Sequence, residues 1–335
     1  MVRYLLRMSY IGTKYRGSQK TPGYPKETIQ GILESALKTI DSKTEPLSAF
    51  ASRTDKGVHA LMNTCHVDLE HKISGEVFQP SYIKSKVNSY FKQNNEEIIL
   101  TNVAVVPDNF HARKSAKCRS YIYRLAILKP ELNLNYSNKP SFVEYLPITE
   151  INRCHIVPGC LNTDLVKEVG KLYHGLHDFT TFTKYIVREP WKNPQRFIQE
   201  FEFYESSHLT SFPDQQALNF TMWEFFIQSK AFLYHQIRKL VGTALSVGFG
   251  ILSLDDVKLM LEKPGADMWI KSLLPPACGL YLSNVAYDKQ EKPGADMWIK
   301  SLLPPACGLY LSNVAYDKQD YIFHGSSEGG TIQCS

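Results

Sequence analysis

The chain has 335 residues, 38 Lys and Arg against 33 Asp and Glu, and 43% hydrophobic residues, enough for a large core or two domains, so wholesale disorder is excluded. Its apolar runs, such as 4–6 and 225–227, fall far short of the roughly 18–20 residues of a membrane-spanning helix. Seven cysteines lie singly without a CxxC pair, so neither a disulfide scaffold nor a zinc ribbon is expected, and a reducing compartment fits best.

The first 26 residues hold Arg3, Arg7, Lys14, Arg16, Lys20 and Lys26 and no acid, a composition that suits a mitochondrial transit peptide. Periodicity points elsewhere. Tyr4, Leu6, Met8 and Tyr10 alternate with Arg3, Leu5, Arg7 and Ser9 as in a strand, which favours cytoplasm or nucleus and leaves mitochondria open. After a Gly/Pro loop, Ile29, Ile32, Leu33, Ala36, Leu37 and Ile40 form one face of a helix starting near Thr28. Strands are predicted at 47–52 and 63–69, a helix at 82–91 and a strand at 98–106. The turn through Pro107, Asp108 and Asn109 marks a domain boundary. Beyond it come a strand at 121–127, a Pro/Asn-rich connection, a helix at 164–173, and strands at 197–204 and 223–228. A helix at 234–247, a second from an N-cap at Ser253 to Leu261, and a strand at 279–287 follow; the strand is apolar on both faces and so central. This succession predicts a mixed α/β fold.

Residues 262–290 are repeated letter for letter as 291–319. Two identical 29-residue copies are not a solenoid, which needs about three or more units. Only one copy can fill one strand slot, and copy one directly follows the preceding helix. The expected organisation is therefore an N-terminal lobe over 1–107, a C-terminal lobe over 108–290, and a duplicate plus tail over 291–335 outside the fold.

Two stretches concentrate polar chemistry. Between His111 and Lys129, Arg113, Lys114, Lys117, Arg119, Arg124 and Lys129 accompany Tyr121 and Tyr123 without an acid. That mixture suits phosphates and bases, or equally a strand edge guarded by cations. Between two predicted strands, Ser52-Arg53-Thr54-Asp55-Lys56-Gly57-Val58-His59-Ala60 is a polar turn that a rigid scaffold can present to a cleft. Read structurally, Thr54 and Asp55 cap it, Gly57 supplies a positive φ, and Arg53 pairs with Asp55. A metal reading through Asp55, His59 and His66 lacks a second carboxylate or a His pair at ligand spacing.

The segment Arg53–Ala60 closely resembles the signature loop of the TruA family of tRNA pseudouridine synthases, whose usual form is Gly-Arg-Thr-Asp-Ala-Gly-Val-His-Ala. Five further segments match that family in order: 10–17 (YIGTKYRG), 110–113 with 121–123 (FHAR, YIY), 175–180 (GLHDFT), 232–242 (FLYHQIRKLVG) and 276–282 (PACGLYL). Together they span about residues 4–287, and the eukaryotic pseudouridine synthase-like branch is the most similar. Ser52, Lys56 and Ser18 depart from the pattern, standing where Gly, Ala and an aromatic are usual.

The resemblance implies two similar lobes with mostly antiparallel sheets joined side by side, helices on one face, a basic cleft between the lobes, and a homodimer with tRNA across both subunits. It implies isomerisation of uridine to pseudouridine in the anticodon stem-loop region of a tRNA, with mitochondrial or messenger RNA open as other substrates. Breaking N1–C1′, turning the base and joining C5 to C1′ calls for one ionised carboxylate, with no metal, redox step or small-molecule cofactor. By resemblance the carboxylate is Asp55, attacking C6 or C1′ or working by another acid-base route, and Arg238 is its charge partner. Tyr121 would pack on the uracil; Tyr123 shares its strand face, so one of the two is a candidate core aromatic. A stacked uridine must first be flipped out. Arg53 would enter the helix beside it, and Lys56, Arg113, Lys114, Lys117 and Arg119 would meet RNA. His59 and His66 are read as hydrogen-bonding groups. The rival readings are a catalytically silent RNA-binding protein or tRNA chaperone, and a metal-dependent phosphoesterase using Asp55, His59 and His66.

Overall fold

A computed structural model of the chain describes residues 1–130, 145–184, 193–206, 219–270 and 274–288. Most of the Pro/Asn-rich connection, and the duplicate with its tail, lie outside them. Strand β1 (Val2–Tyr10) buries Tyr4, Leu6 and Met8 completely on alternate positions. It pairs antiparallel with β3 (His59–Leu69) on one side and β4 (Ile98–Val106) on the other, while the short β2 (Ser48–Phe50) lies along β3. Helix α1 (Ile29–Lys38) starts where the sequence places it: the Thr28 side chain accepts from the Gly31 N–H, satisfying one orphan donor of the first turn. Helix α2 (Pro80–Gln93) buries Ile83, Val87 and Phe91, a stripe with four-residue spacing.

In the second half, β5 (Ala116–Leu128), β9 (Phe220–Ser229), β8 (Gln195–Ser206) and β7 (Gly175–Asp178) pair antiparallel in that spatial order, and β6 (His155–Val157) runs parallel beside β5. The last strand, β10 (Leu280–Tyr287), closes the molecule. It is antiparallel to β5 and parallel to β3, the latter only through Tyr281 opposite His59 and Leu282 opposite Ala60. One ten-stranded sheet results, in the order β4-β1-β3-β10-β5-β9-β8-β7, with β2 and β6 as side pairings. The fold is thus mixed α/β with a mostly antiparallel sheet, and copy one of the duplicated segment holds the central strand position expected for it. Residues Met1–Asp288 form one compact unit.

Helix α3 (Thr163–Tyr173) caps itself with Asn162, and α5 (Leu254–Glu262) closes a reciprocal capping box between Ser253 and Asp256. Between them in the chain, α4 (Gln236–Gly248) is buried at every residue except Arg238. A helix surrounded on all sides is an inner helix of the domain; its single partly exposed residue, Arg238, lines a cavity together with Gln236 and Ile237 of its first turn.

The structure departs from the sequence pattern at strand starts. β3 begins at His59 and β5 at Ala116, earlier than alternation suggests, because hydrogen-bonded polar residues, His59 and Asn63 in β3 and Arg119 and Ser120 in β5, stand there and hide the apolar period. β6 and β7 are too short to carry a period at all. The segment around His177 and Asp178 reads as a turn but forms β7; Asp178 Oδ1 then accepts from Thr180 N, and Phe179 is fully buried.

Candidate active site

The polar turn between β2 and β3 is held from three directions. Ser18 Oγ accepts from Thr54 N (2.8 Å), and Ser18 N donates to Thr54 O (2.9 Å). Tyr10 OH is hydrogen bonded to Thr54 Oγ1 at 2.8 Å, while Asn63 Nδ2 donates both to Tyr10 OH (3.0 Å) and to Ser52 O (3.1 Å). From the other half, Arg119 donates through Nε to Ser52 Oγ (3.0 Å) and through Nη2 to Ala51 O (2.9 Å). Val58 N closes the turn on Asp55 O, with Gly57 at φ 81°, as its position in the turn requires. The neighbouring loop is pressed on this one: a Cβ at Gly12 would lie 1.9 Å from Val58 O, a contact no side chain tolerates. A loop so determined presents Asp55 from a fixed frame.

Asp55 lies in the wall of a cavity of about 1210 Å³. Among the described lining residues are seven cationic side chains, Arg53, Arg113, Lys114, Arg119, Arg196, Lys230 and Arg238, and one carboxylate, that of Asp55. Burial raises the pKa of Asp55; Arg238 and, less strongly, Lys184 pull it back down. Arg238 acts through space. Its guanidinium donates from Nε and Nη2 to Pro275 O at 2.9 and 2.6 Å, which ties α4 to the segment leading into β10. Close to the carboxylate stands His235, whose Nε2 is 3.5 Å from Asp55 Oδ2. Burial, together with Arg238, Lys184 and Lys239, pushes the His235 pKa down to about 4, so the ring is neutral at physiological pH.

The two tyrosines of β5 separate clearly. Tyr123 is completely buried and its hydroxyl donates to Pro276 O at 2.8 Å. Tyr121 lines the cavity, with its ring edge-on to Phe232 at 5.3 Å between centroids. Burial pushes its phenol up to about 12, against the opposing pull of Arg119 and Ser52. The expected cations divide similarly. Arg53, Arg113 and Lys114 are exposed on the cavity lining. Arg119 lines it too, but its guanidinium is directed to Ser52, Ala51, Arg113 O and Lys230 O, so it braces the loop. Lys56 is exposed beyond the lining, and Lys117, also beyond it, pairs with Asp288 at 2.8 Å.

Both ring nitrogens of His59 are engaged: Nδ1 accepts from Gly12 N (3.0 Å), which leaves Nε2 to donate to Cys278 O (3.1 Å). His66 Nδ1 accepts from Ala112 N at 3.2 Å. These are the hydrogen-bonding roles expected of them, and among the described residues no three His, Cys, Asp or Glu side chains gather to hold a metal. Sequence reasoning missed His235, Lys184 and the clamp at Ser18. His235 stood inside a motif already singled out, but its approach to Asp55 joins residues 180 positions apart and has no local signature.

A family model described as tRNA pseudouridine synthase matches residues 170–288. The chain is 30% identical over 292 residues to tRNA pseudouridine synthase-like 1 of Xenopus laevis, covering 85% of this chain and 91% of that protein. It is 29% identical over 289 residues to the human protein of the same name, covering 85% and 90%. Against tRNA pseudouridine synthase A of Bartonella quintana it is 30% identical over 289 residues, covering 86% of this chain and 100% of the relative. Likeness that extends over nearly the whole of both eukaryotic and bacterial relatives places the chain in the TruA family of tRNA pseudouridine synthases.

Proposed function

We propose that this protein isomerises uridine to pseudouridine in tRNA, in the anticodon stem-loop region, with Asp55 as the catalytic carboxylate. The observation that carries the reading is a carboxylate, on a loop locked by hydrogen bonds, in a cavity whose other charged side chains among the described residues are Lys and Arg. That charge arrangement attracts a polyanion and still offers one anionic nucleophile or base. The through-space attraction of Arg238 opposes the burial that raises the Asp55 pKa, and so favours the ionised form.

The remaining residues divide the work by their chemistry. Tyr121 offers an aromatic face to a flipped uracil, and its phenol, protonated at neutral pH, can donate a hydrogen bond or proton but cannot act as a base. Arg53 next to the loop is suited to the space left in the RNA stem, and Arg113 and Lys114 to phosphates; Lys56 and Lys117 would meet RNA further out. The curated relatives are named as tRNA pseudouridine synthases, which supports tRNA as the substrate here. A homodimer holding one tRNA across both subunits, in cytoplasm or nucleus, completes the reading.

The test is to incubate unmodified tRNA transcripts with the protein and map pseudouridine as carbodiimide adducts that stop reverse transcription. New stops confined to anticodon stem-loop uridines are expected. Bound tRNA without any new stop would instead favour the silent RNA-binding reading.

A further inference from the structure

His235 stands beside Asp55 in a conformation that its own side chain disfavours. Its backbone is left-handed, φ 61° and ψ 3°, immediately before α4, and its side chain makes no cap to that helix. A non-glycine residue held there is strained, and such strain persists only where surrounding structure enforces it, commonly at functional sites. Here the enforcement is visible. The ring stacks on Tyr234 with centroids 4.0 Å apart and planes 24° from parallel, Lys239 N donates to His235 O, and the side chain is only 11% exposed. The outcome of this strain is that Nε2 comes within 3.5 Å of Asp55 Oδ2 at the wall of the cavity.

We propose that His235 is a positioning residue for the catalytic carboxylate: its Nε2–H donates to Asp55 Oδ2 and turns the group so that Oδ1 faces the flipped nucleotide. The proposal rests on Asp55 being that carboxylate. A distance of 3.5 Å is long for a formed hydrogen bond, but catalytic hydrogen bonds in substrate-free enzymes commonly tighten only on binding. The ring's neutrality suits the role. An imidazolium would ion-pair with the carboxylate and weaken it as a nucleophile, whereas a neutral N–H orients it and leaves its charge available.

Two substitutions separate orientation from structure. His235→Gly removes the ring at a backbone position that glycine adopts without strain, so it should fold at least as well as wild type. His235→Gln places an amide N–H at the reach of Nε2. With [5-³H]uridine-labelled tRNA, His235→Gly is expected to lower kcat by about tenfold or more with KM and tRNA affinity nearly unchanged, and His235→Gln to recover most of the loss. If glycine fails to fold, His235→Asn, which tolerates the left-handed region but is too short to reach, carries the same expectation as glycine. Wild-type kcat in the folded short variant, a loss confined to KM, or no recovery by glutamine would overturn the proposal. Asp55→Ala, run alongside, distinguishes the two levels. If it is inactive while His235→Gly is normal, only the positioning role fails; if it is as active as wild type, or wild type itself releases no tritium, the reading of Asp55 fails and this role with it.

Discussion

At Asp55, burial and neighbouring charge act in opposite directions. Desolvation favours the protonated acid, and Arg238 and Lys184 favour the carboxylate. If the ionised form does the chemistry, activity falls as pH drops through the Asp55 pKa, and Arg238 sets where that happens. Arg238→Gln removes the larger opposing charge, so the Asp55 pKa rises further and the acid limb of the kcat/KM profile moves to higher pH. Arg238→Lys keeps the charge while altering the link to Pro275 O, and should leave the limb near its wild-type position. An unmoved limb in the glutamine variant would show that Arg238 serves only to tie α4 to the segment before β10. The residue scale was also the most legible one in the sequence. Asp55, Tyr121 and Arg238 sit in motifs whose order along the chain is recognisable, whereas His235 owes its place to a backbone conformation that no periodicity reports.

Among the elements, the loop that carries Asp55 is the one where the proposed chemistry depends on local stability. Ser18 is completely buried and is both donor and acceptor to Thr54, the residue before Asp55. Ser18→Ala leaves the Thr54 N–H buried without its side-chain partner, which should cost about 1–3 kcal/mol in denaturant unfolding. It should also lower kcat more than tRNA affinity, because Asp55 loses its frame while the cations do not. An unchanged unfolding midpoint would mean that water or a neighbour replaces the hydroxyl. Sequence alone presented Ser18 as a departure from the family's usual aromatic, with no sign of this second role. Helices α1 and α3 were readable because an amphipathic face and a capping residue give the same answer. The start of β3 was not, since a buried polar network such as Tyr10, Thr54 and Asn63 looks like a loop to any pattern built on apolar residues.

For the whole molecule, β10 is the seam. It joins β3 to β5, and its two parallel pairings with β3 fall at His59 and Ala60, just after the Asp55 loop, so the strand that closes the sheet also anchors the end of that loop. The sequence that supplies this strand occurs twice, and the first copy fills the position. Deletion of 291–319 is therefore expected to leave the thermal midpoint and turnover unchanged, or to improve recovery of soluble protein by removing a second copy of an apolar, aggregation-prone sequence. A large loss of either would show that the second copy belongs to the working fold. The central claim, that this cavity isomerises uridine through Asp55, is tested most directly by tritium release from [5-³H]uridine-labelled tRNA, wild type against Asp55→Asn. Because the Asp55 pKa is raised on folding, the folded state binds more protons than the unfolded one and stability is lost as pH rises through that pKa. The neutral amide should thus leave the melting temperature at pH 7 unchanged or higher, so a folding defect will not mask the result. Release by wild type and none by the folded asparagine variant is the predicted outcome; equal release by both would contradict the account.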